Sequence, residues 1–268
     1  MFPESFWPPI KERKKYILNL LEGRCFPGKI LFCGLIRGHA VDLLNNISDI
    51  RTIFPNSKII IYENDSEKNN VVDSWLYPNI KYIYEELDHE PLKQDKSLLR
   101  RTRMALYRNK VWELAKDEKE KENFKYLCIL DYDLLGGYSI EGIQHTLGLL
   151  KKNKKTIIGS NSLVYENNRK LYYDSWAFRD INSWEFAGDE INNNLDFKRG
   201  EDLVEVNSCF GGMCFYPISV LNENVEYQSY DCDHVTLHKQ LKDRGYKIYL
   251  NPSLITLYSE NYYRTYDV

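Results

Sequence analysis

The chain has 268 residues, of which 43% are hydrophobic and 14% are aromatic, and its formal net charge is −3. This composition excludes a largely disordered chain and indicates a globular protein, long enough for one large or two small domains. One α/β domain with appendages is the first expectation. The near balance of charge gives no reason to expect nucleic acid or an acidic membrane as a partner. Because no segment reaches the ~18 apolar residues of a membrane span, we expect no span in this chain.

The first half of the chain has the hydrophobic pattern of strands that alternate with helices. In chain order, the sequence first predicts a strand at 29–35, a helix that stops at 54–57, and strands at 58–67 and 79–87. A long helix follows, with Met104, Tyr107, Val111 and Leu114 on its apolar stripe. After it come a strand that leads into Asp131 and another at 156–161. This alternation predicts an α/β fold with a mostly parallel central sheet and helices on both faces.

The second half has a different texture. The pattern predicts an aromatic, loop-like stretch at 172–186, an exposed connection at 192–203, β-structure at 206–217, a helix at 233–245 and one or two closing strands at 246–258. We therefore expect an N-terminal helical extension over 1–28 and one domain over 29–268. Within that domain the texture changes near residue 160, so we expect a first half at 29–160 and a second half at 161–268.

Polar residues follow three of the predicted parallel strands, where those strands end. Arg37 lies between glycines after the first strand, Glu63, Asn64 and Asp65 end the second, and Asp131, Tyr132 and Asp133 end the fourth. In parallel sheets, ligands bind beyond the carboxyl ends of the strands. We therefore expect these side chains along one edge of the sheet.

Asp131 and Asp133 are the strongest chemical signal. On a continuous strand they would point to the same side, because side chains alternate with period two. Such a pair has two chemical uses: it holds Mg²⁺ or Mn²⁺ beside a diphosphate, or its first carboxylate is the nucleophile of a phosphatase. The structural alternative is a polar strand end that turns the chain.

Other residues near these strand ends are candidate nucleotide ligands. Glu63, Asn64 and Asp65 offer acceptors for ribose hydroxyls or for base N–H groups, and Arg37 is a candidate for a phosphate. Arg101 is another, since it shares a predicted helix face with Arg108, seven residues on. Neither of the familiar Gly-rich phosphate loops is present. A metal ion with arginines would supply the missing neutralisation of a diphosphate. The alternatives are that these arginines only solvate the surface and that Glu63, Asn64 and Asp65 only turn the chain.

The second half adds candidate contacts for a sugar. Trp176 and neighbouring aromatic residues would stack on sugar rings, and Asp174 and Arg179 would meet hydroxyls; an aromatic core is the alternative. Gly211 and Gly212 lie within β-like sequence and mark either a bulge or a close approach of a ligand to the backbone.

Asp233 and His234 fall at the predicted N-terminus of the last helix, where the helix dipole favours a carboxylate. Asp233 is either the N-cap of that helix or a general base toward an acceptor hydroxyl.

Seven segments together resemble a GT-A-type glycosyltransferase, and more narrowly the fungal capsule-associated α-1,3-mannosyltransferase family and its relatives in large viruses. The matching segments are "CGLIRG" (33–38), "IYENDSE" (61–67), "RMALYRNKVWELA" (103–115), "LDYD" (130–133), "YYDSWAFR" (172–179), "VNSCFGGMCFY" (206–216) and "CDHVTLHKQLKDRGYKIYLNP" (232–252). The resemblance implies that 29–160 is a nucleotide-binding half, with a metal–diphosphate site at Asp131 and Asp133. It also implies that 161–268 is an acceptor-binding half that contacts the acceptor or the donor sugar.

Two positions depart from the family pattern. Asp233 stands where a glutamate is expected between a cysteine and a histidine, and Tyr258 stands near the place of a metal-binding histidine. His234 is the candidate substitute for that third ligand.

We therefore predict a metal-dependent enzyme that moves a sugar from a UDP- or GDP-linked donor to a hydroxyl of a carbohydrate acceptor, with Mn²⁺ or Mg²⁺ as cofactor. Asp131 and Asp133 would hold the metal, and Asp131 would also face the nucleotide. We expect a cytoplasmic location, in the host cytoplasm if the chain is viral. The alternatives are an Asp-nucleophile phosphatase and a non-catalytic carbohydrate-binding protein.

Overall fold

The computed structural model describes residues 10–38, 40–66, 79–90, 92–93, 95–151, 154–166 and 169–258. The helices in these ranges are α1 (Ile10–Arg24), α2 (Ala40–Ile53), α3 (Leu98–Lys119), α4 (Ile140–Leu150) and α5 (Asp233–Asp243). The strands are β1 (Lys29–Ile36), β2 (Lys58–Asn64), β3 (Ile80–Glu85), β4 (Phe124–Asp131), β5 (Thr156–Glu166), β6 (Arg169–Tyr172), β7 (Arg179–Asp180), β8 (Val204–Ser208), β9 (Met213–Pro217) and β10 (Lys247–Leu257). No described helix has the length and apolar character needed to cross a membrane.

The chain forms two compact units, each assembled from separate stretches of sequence. The parallel-sheet unit draws its described residues from Gly28–Asp133 and Phe215–Leu241. The mixed-sheet unit draws them from Met1–Pro27, Leu134–Cys214 and Lys242–Val268. The predicted division at residue 160 stays a prediction.

The parallel-sheet unit is built on four parallel strands in the order β3-β2-β1-β4. The apolar residues of β1, β2 and β4 are almost completely buried, as a strand covered on both faces requires. Helix α3, capped by the side chain of Ser97, packs against β1 and β2. This packing buries Trp112 in the core.

The mixed-sheet unit has β5 and β10 as a parallel pair, with β8 antiparallel to β10, β7 antiparallel to β8 and β6 antiparallel to β5. Helix α1 packs against α4. Two glycines allow this approach: a Cβ on Gly23 would lie 1.6 Å from the Gln144 carbonyl oxygen, and one on Gly148 would lie 2.0 Å from that of Asn19.

The predicted elements differ from the structure mainly at their ends. The predicted strand at 156–161 continues to Glu166, and the stretch predicted as a loop at 172–186 contains β7. The β-structure predicted at 206–217 is interrupted between β8 and β9 because Gly211 and Gly212 have φ of 66° and 82°, which breaks the extended backbone.

Candidate functional site

The carboxyl ends of the parallel strands lie side by side, as the sequence predicted. In the strand register Leu35 of β1 is opposite Asp131 of β4, and Ile36 of β1 is opposite Glu63 of β2. The polar residues that follow these strands therefore share one edge of the parallel-sheet unit, where α/β proteins bind their ligands.

Strand β4 ends at Asp131, and Asp133 lies in the turn that follows. The expectation of two carboxylates on one continuous strand is therefore wrong in its geometry, since strand alternation does not extend to Asp133. Asp131 is partly exposed, with 21% of its side chain accessible, and Asp133 is exposed.

Tyr132, between the two acids, points into the core. Its hydroxyl lies 3.4 Å from the carbonyl oxygen of Phe32 and 3.3 Å from that of Ile60, and its ring is fully buried. Gly34 provides the space, because a Cβ there would lie 2.9 Å from the Tyr132 ring. Burial of Tyr132 anchors the chain between the two acids, which leaves both acids at the sheet edge.

Arg108 of α3 joins two acidic residues of this edge. Its Nη2 donates to Asp131 Oδ1 at 2.7 Å, and its Nε donates to Asp233 Oδ2 at 3.4 Å. Only 4% of the Arg108 side chain is exposed. Burial alone would lower the pKa of Arg108, but the carboxylates of Asp131 and Asp233 outweigh it and raise that pKa. The guanidinium therefore keeps its charge inside the protein.

The sequence predicts Arg101 and Arg108 on one helix face that projects toward this edge, but only Arg101 is a predicted site residue. A signal was available: Met104, Arg108 and Val111 follow each other at the four- and three-residue spacing of the apolar stripe of α3. A charged residue within such a stripe is buried, and a buried charge requires a partner.

Asp233 and His234 begin α5, as predicted, and both are buried. The His234 ring packs edge-on against Tyr227, with centroids 5.5 Å apart. Burial, followed by the charge of Arg108 and the neighbouring His238, lowers the pKa of His234 well below its usual range. His234 is therefore neutral near pH 7, and its assigned catalytic role stays a prediction.

Glu63 is fully buried and is held by the protein around it. Its carboxylate accepts hydrogen bonds from the hydroxyls of Ser66 and Tyr82 and, at 3.4 Å, from the backbone N–H of Gly38. Glu63 thereby ties together the segments that follow β1 and β2. A direct contact of its carboxylate with a nucleoside stays a prediction.

Arg37 crosses between two loops. Its Nη2 donates to the carbonyl oxygens of Asp65 and His89, both at 3.0 Å. Asp65 has a positive φ of 49°, and its Oδ1 accepts from the backbone N–H of Leu87 at 2.6 Å. Burial raises the pKa of Asp65, but hydrogen bonds from Asn64 and the backbone, together with the charge of Arg37, outweigh this and lower it.

Two predicted nucleotide ligands have further contacts. Asn64 is buried and donates to Asp65 Oδ2 at 2.6 Å. Arg101 donates through Nη1 to the carbonyl oxygen of Tyr230 at 2.7 Å. Both residues lie in the parallel-sheet unit, together with Asp131 and Asp233. Their predicted contacts with a nucleotide are untested.

The five predicted sugar contacts all lie in the mixed-sheet unit. Asp174 Oδ2 accepts from the backbone N–H of Gly211 at 2.8 Å, and Oδ1 accepts from that of Ala177 at 3.3 Å. A Cβ on Gly211 would meet Ser160, and one on Gly212 would lie 2.5 Å from the Tyr258 hydroxyl. The two glycines thus allow close packing of the backbone, and their contact with a ligand stays a prediction.

Arg179 is buried and donates to three carbonyl oxygens, those of Trp176, Phe178 and Trp184, each at 2.8 Å. It therefore organises the aromatic loop that surrounds it. Trp176 is partly exposed. Neither residue has a demonstrated contact with a sugar.

The donor chemistry at the sheet edge suits a hard divalent cation. Among the described residues no group of three His, Cys, Asp or Glu side chains is arranged to hold a metal ion. Asp131 and Asp133 supply two carboxylates, and Mg²⁺ or Mn²⁺ beside a diphosphate commonly takes one or two carboxylates, with phosphate oxygens and water completing its shell. Two aspartates fit that pattern.

No family model matches the chain, and no curated protein matches it. Several solved structures do match. The crystal structure of GalNAc-T7 with UDP, GalNAc and Mn²⁺ is similar at a TM-score of 0.52 and 9% identity, over 86% of this chain and 43% of that one. The mannosyltransferase PcManGT from Pyrobaculum calidifontis, in complex with GDP-Man and Mn²⁺, is similar at 0.51 and 9% identity, over 92% and 65%.

The structure of S. aureus TarS 1-349 has a TM-score of 0.49 and 8% identity, over 87% of this chain and 61% of that one. The chain thus spans less than two thirds of the length of each of these proteins. At such low identity the likeness to GalNAc-T7 and PcManGT concerns the fold. The chain has the α/β fold of GT-A glycosyltransferases, as the sequence predicted.

Proposed function

We propose that this protein is a metal-dependent glycosyltransferase that moves a sugar from a nucleoside-diphosphate sugar to a hydroxyl of a glycan acceptor. One observation carries the proposal: Asp131 ends a buried parallel strand and is held at the carboxyl edge of the sheet by the buried Arg108. The GT-A fold supports it. GalNAc-T7 and PcManGT were crystallised with UDP and GDP-Man respectively, each with Mn²⁺, and we propose a UDP- or GDP-linked donor here.

Asp131 and Asp133 would hold the Mn²⁺ or Mg²⁺ ion. When bound, a divalent ion supplies Lewis-acid stabilisation of the negative charge on the departing nucleoside diphosphate. The task of these two aspartates is to bind and orient. The buried ring of Tyr132 keeps the main chain of both residues at the sheet edge. The main chain therefore loses little conformational freedom when a ligand binds.

We assign the nucleoside to the segment after β2. Asn64 and Asp65 lie at the end of that strand and are hydrogen-bonded to each other. Glu63 holds the segment in place because its buried carboxylate accepts hydrogen bonds from the hydroxyls of Ser66 and Tyr82. Arg37 already spans the loops at Asp65 and His89, so its contribution to the phosphates would come from its charge. Arg101 is the second candidate for the phosphates.

Asp233 is our candidate for polarising the acceptor hydroxyl or contacting the transferred sugar. Its Oδ2 lies 3.4 Å from Nε of the buried Arg108, which holds the carboxylate at the start of α5. His234, neutral and buried against Tyr227, is better suited to holding the start of α5 in place than to carrying a proton.

In the mixed-sheet unit we assign Asp174, Trp176, Arg179, Gly211 and Gly212 to the acceptor or donor sugar. Trp176 is the strongest of these, because a partly exposed indole presents an apolar face for sugar stacking. Asp174 and Arg179 bind the main chain and would act by shaping the loop. A relationship to the fungal capsule-associated mannosyltransferases, and a cytoplasmic location, remain part of this proposal.

A thermal-shift panel with UDP, GDP, CDP and their sugars, each with and without Mn²⁺, tests the function. A ligand at about one hundred times its dissociation constant stabilises the native state by about 2.7 kcal/mol, which at this chain length raises Tm by roughly 5 to 10 °C. We expect such a rise with one nucleoside diphosphate and only when Mn²⁺ is present.

A phosphate-release assay and a thermal shift with glycans, run beside this panel, separate the alternatives. Metal-dependent release of phosphate from a generic ester, without a shift from any nucleotide, would instead indicate the Asp-nucleophile phosphatase. Stabilisation by a glycan with no requirement for nucleotide or metal would indicate a carbohydrate-binding protein.

A further inference from the structure

Arg108 connects three separate elements of the parallel-sheet unit. It belongs to α3, and its guanidinium reaches Asp131 at the end of β4 and Asp233 in the first turn of α5. We infer that Arg108 is a positioning residue that orients the Asp131 carboxylate for the divalent cation and couples it to Asp233. This inference rests on the proposed function and names a residue on which its metal site depends.

The contact with Arg108 restricts the orientation of the Asp131 carboxylate. A donor at Oδ1 of Asp131, 2.7 Å away, restricts rotation of the carboxylate about its Cβ–Cγ bond and so determines where the second oxygen points. The donor is itself restrained, since only 4% of the Arg108 side chain is exposed. The groups that surround a metal site commonly orient its ligands in this way.

Arg108 also sets the net charge of the site. Asp131 and Asp233 carry two formal negative charges, and Arg108 compensates one of them. Without the guanidinium, two carboxylates with 21% and 8% exposure would lose the positive charge that lies beside both of them. With Asp133 included, three carboxylates and one guanidinium leave a formal charge of −2, which a divalent cation balances. Arg108 thus keeps the acids together without cancelling their attraction for that cation.

The contacts with two carboxylates require an arginine at position 108. Its planar guanidinium has donors in fixed directions, and here Nη2 and Nε serve different carboxylates. A lysine in its place keeps the charge but concentrates it in one ammonium group on a flexible chain. Arg108→Lys therefore removes the orientation and preserves the electrostatics.

The experiment compares Arg108→Lys with Arg100→Lys, a matched substitution on the same helix. Arg100 donates to the carbonyl oxygen of Lys93 and contacts neither carboxylate in the hydrogen bonds of the described chain. Free Mn²⁺ is measured by electron paramagnetic resonance during titration of each protein, with saturating UDP and, separately, GDP. We expect at least about tenfold weaker Mn²⁺ binding for Arg108→Lys and a change within about twofold for Arg100→Lys.

The outcomes distinguish this inference from the proposed function. If the wild-type protein binds Mn²⁺ with a nucleotide and Arg108→Lys binds it equally well, Arg108 is merely structural and the inference is wrong. If the wild-type protein binds no Mn²⁺ with either nucleotide, the proposed function fails and the inference fails with it.

The unfolding temperature of Arg108→Lys shows whether that variant still folds. If it does not, a second variant tests the inference. Asp233→Asn keeps the side-chain volume and neutralises one of the two carboxylates that Arg108 contacts, so the guanidinium pairs more closely with Asp131 and competes with the metal. We expect roughly tenfold weaker Mn²⁺ binding for this variant. Unchanged affinity in a folded Asp233→Asn protein would overturn the coupling.

Discussion

The side-chain amide of Asn109 forms two hydrogen bonds with the main chain of Tyr227: its Nδ2 donates to the carbonyl oxygen at 2.9 Å, and its Oδ1 accepts from the N–H at 2.8 Å. Asn109 directly follows Arg108 in α3. Two consecutive residues of this helix therefore hold the segment before α5 and the first turn of α5, which places Asp233. Helix α3 is the element on which the geometry of the candidate site depends.

Loss of Arg108 will destabilise the fold strongly. In Arg108→Met the side-chain volume is largely kept while Asp131 and Asp233 lose their shared partner, and breaking a buried pair typically costs about 3 to 5 kcal/mol of unfolding free energy. Urea denaturation measures the loss. The double variant Arg108→Met with Asp233→Asn should lose less unfolding free energy than Arg108→Met alone, because the buried negative charge of Asp233 has also been removed. A double variant that is less stable than Arg108→Met would contradict this account.

Asp133→Asn is expected to remove the metal-dependent response while leaving the fold intact. Asp133 is exposed in the turn after β4, so the substitution should change the unfolding free energy by less than about 0.5 kcal/mol. The amide lacks the negative charge that a hard cation prefers. We expect the rise in Tm with nucleotide and Mn²⁺ to disappear in a thermal-shift assay. A full response in Asp133→Asn would exclude this residue as a metal ligand.

Gly34 and Gly38 should respond very differently to substitution by alanine. A Cβ on Gly34 would lie 2.0 Å from the Leu130 carbonyl oxygen, so Gly34→Ala must displace β4 or Tyr132, at a cost of about 3 kcal/mol or more. Gly38 has a φ of 80° with open space around its Cβ position, so Gly38→Ala bears only backbone strain of about 1 to 2 kcal/mol. Equal losses in urea denaturation would contradict the close approach of Leu130 and Tyr132 to Gly34.

The neutral state of His234 predicts a specific loss of stability in acid. In the unfolded chain a histidine takes up a proton below about pH 6.5, but burial and Arg108 keep the pKa of folded His234 well below that value. The unfolded state then binds more protons, so the unfolding free energy falls as pH falls below about 6.5, by up to about 1.4 kcal/mol per pH unit.

Replacing His234 isolates its share of this pH dependence. His234→Phe keeps an aromatic ring next to Tyr227 and removes the titrating group. Chemical denaturation between about pH 7 and about pH 5 should show a shallower fall in unfolding free energy for the variant than for the wild-type protein. Parallel curves for the two proteins would mean that His234 protonates normally in the folded state.

The sequence alone was sufficient for the order and type of most elements and for the place of the acidic pair. Buried parallel strands have continuous apolar runs, and helices repeat their apolar residues every three or four positions, so both patterns are visible in short windows. The polar residues after β1, β2 and β4 could be assigned to one edge because parallel strands end on the same side of a sheet.

Only the tertiary structure decided which of these side chains meet. Arg108 lies 23 residues from Asp131 and 125 residues from Asp233 along the chain, and no local pattern relates residues so far apart. The same holds for the contact between Glu63 and Tyr82, which lie 19 residues apart. Periodicity is a property of neighbouring residues, whereas the partner of a buried charge depends on how whole helices and strands stack.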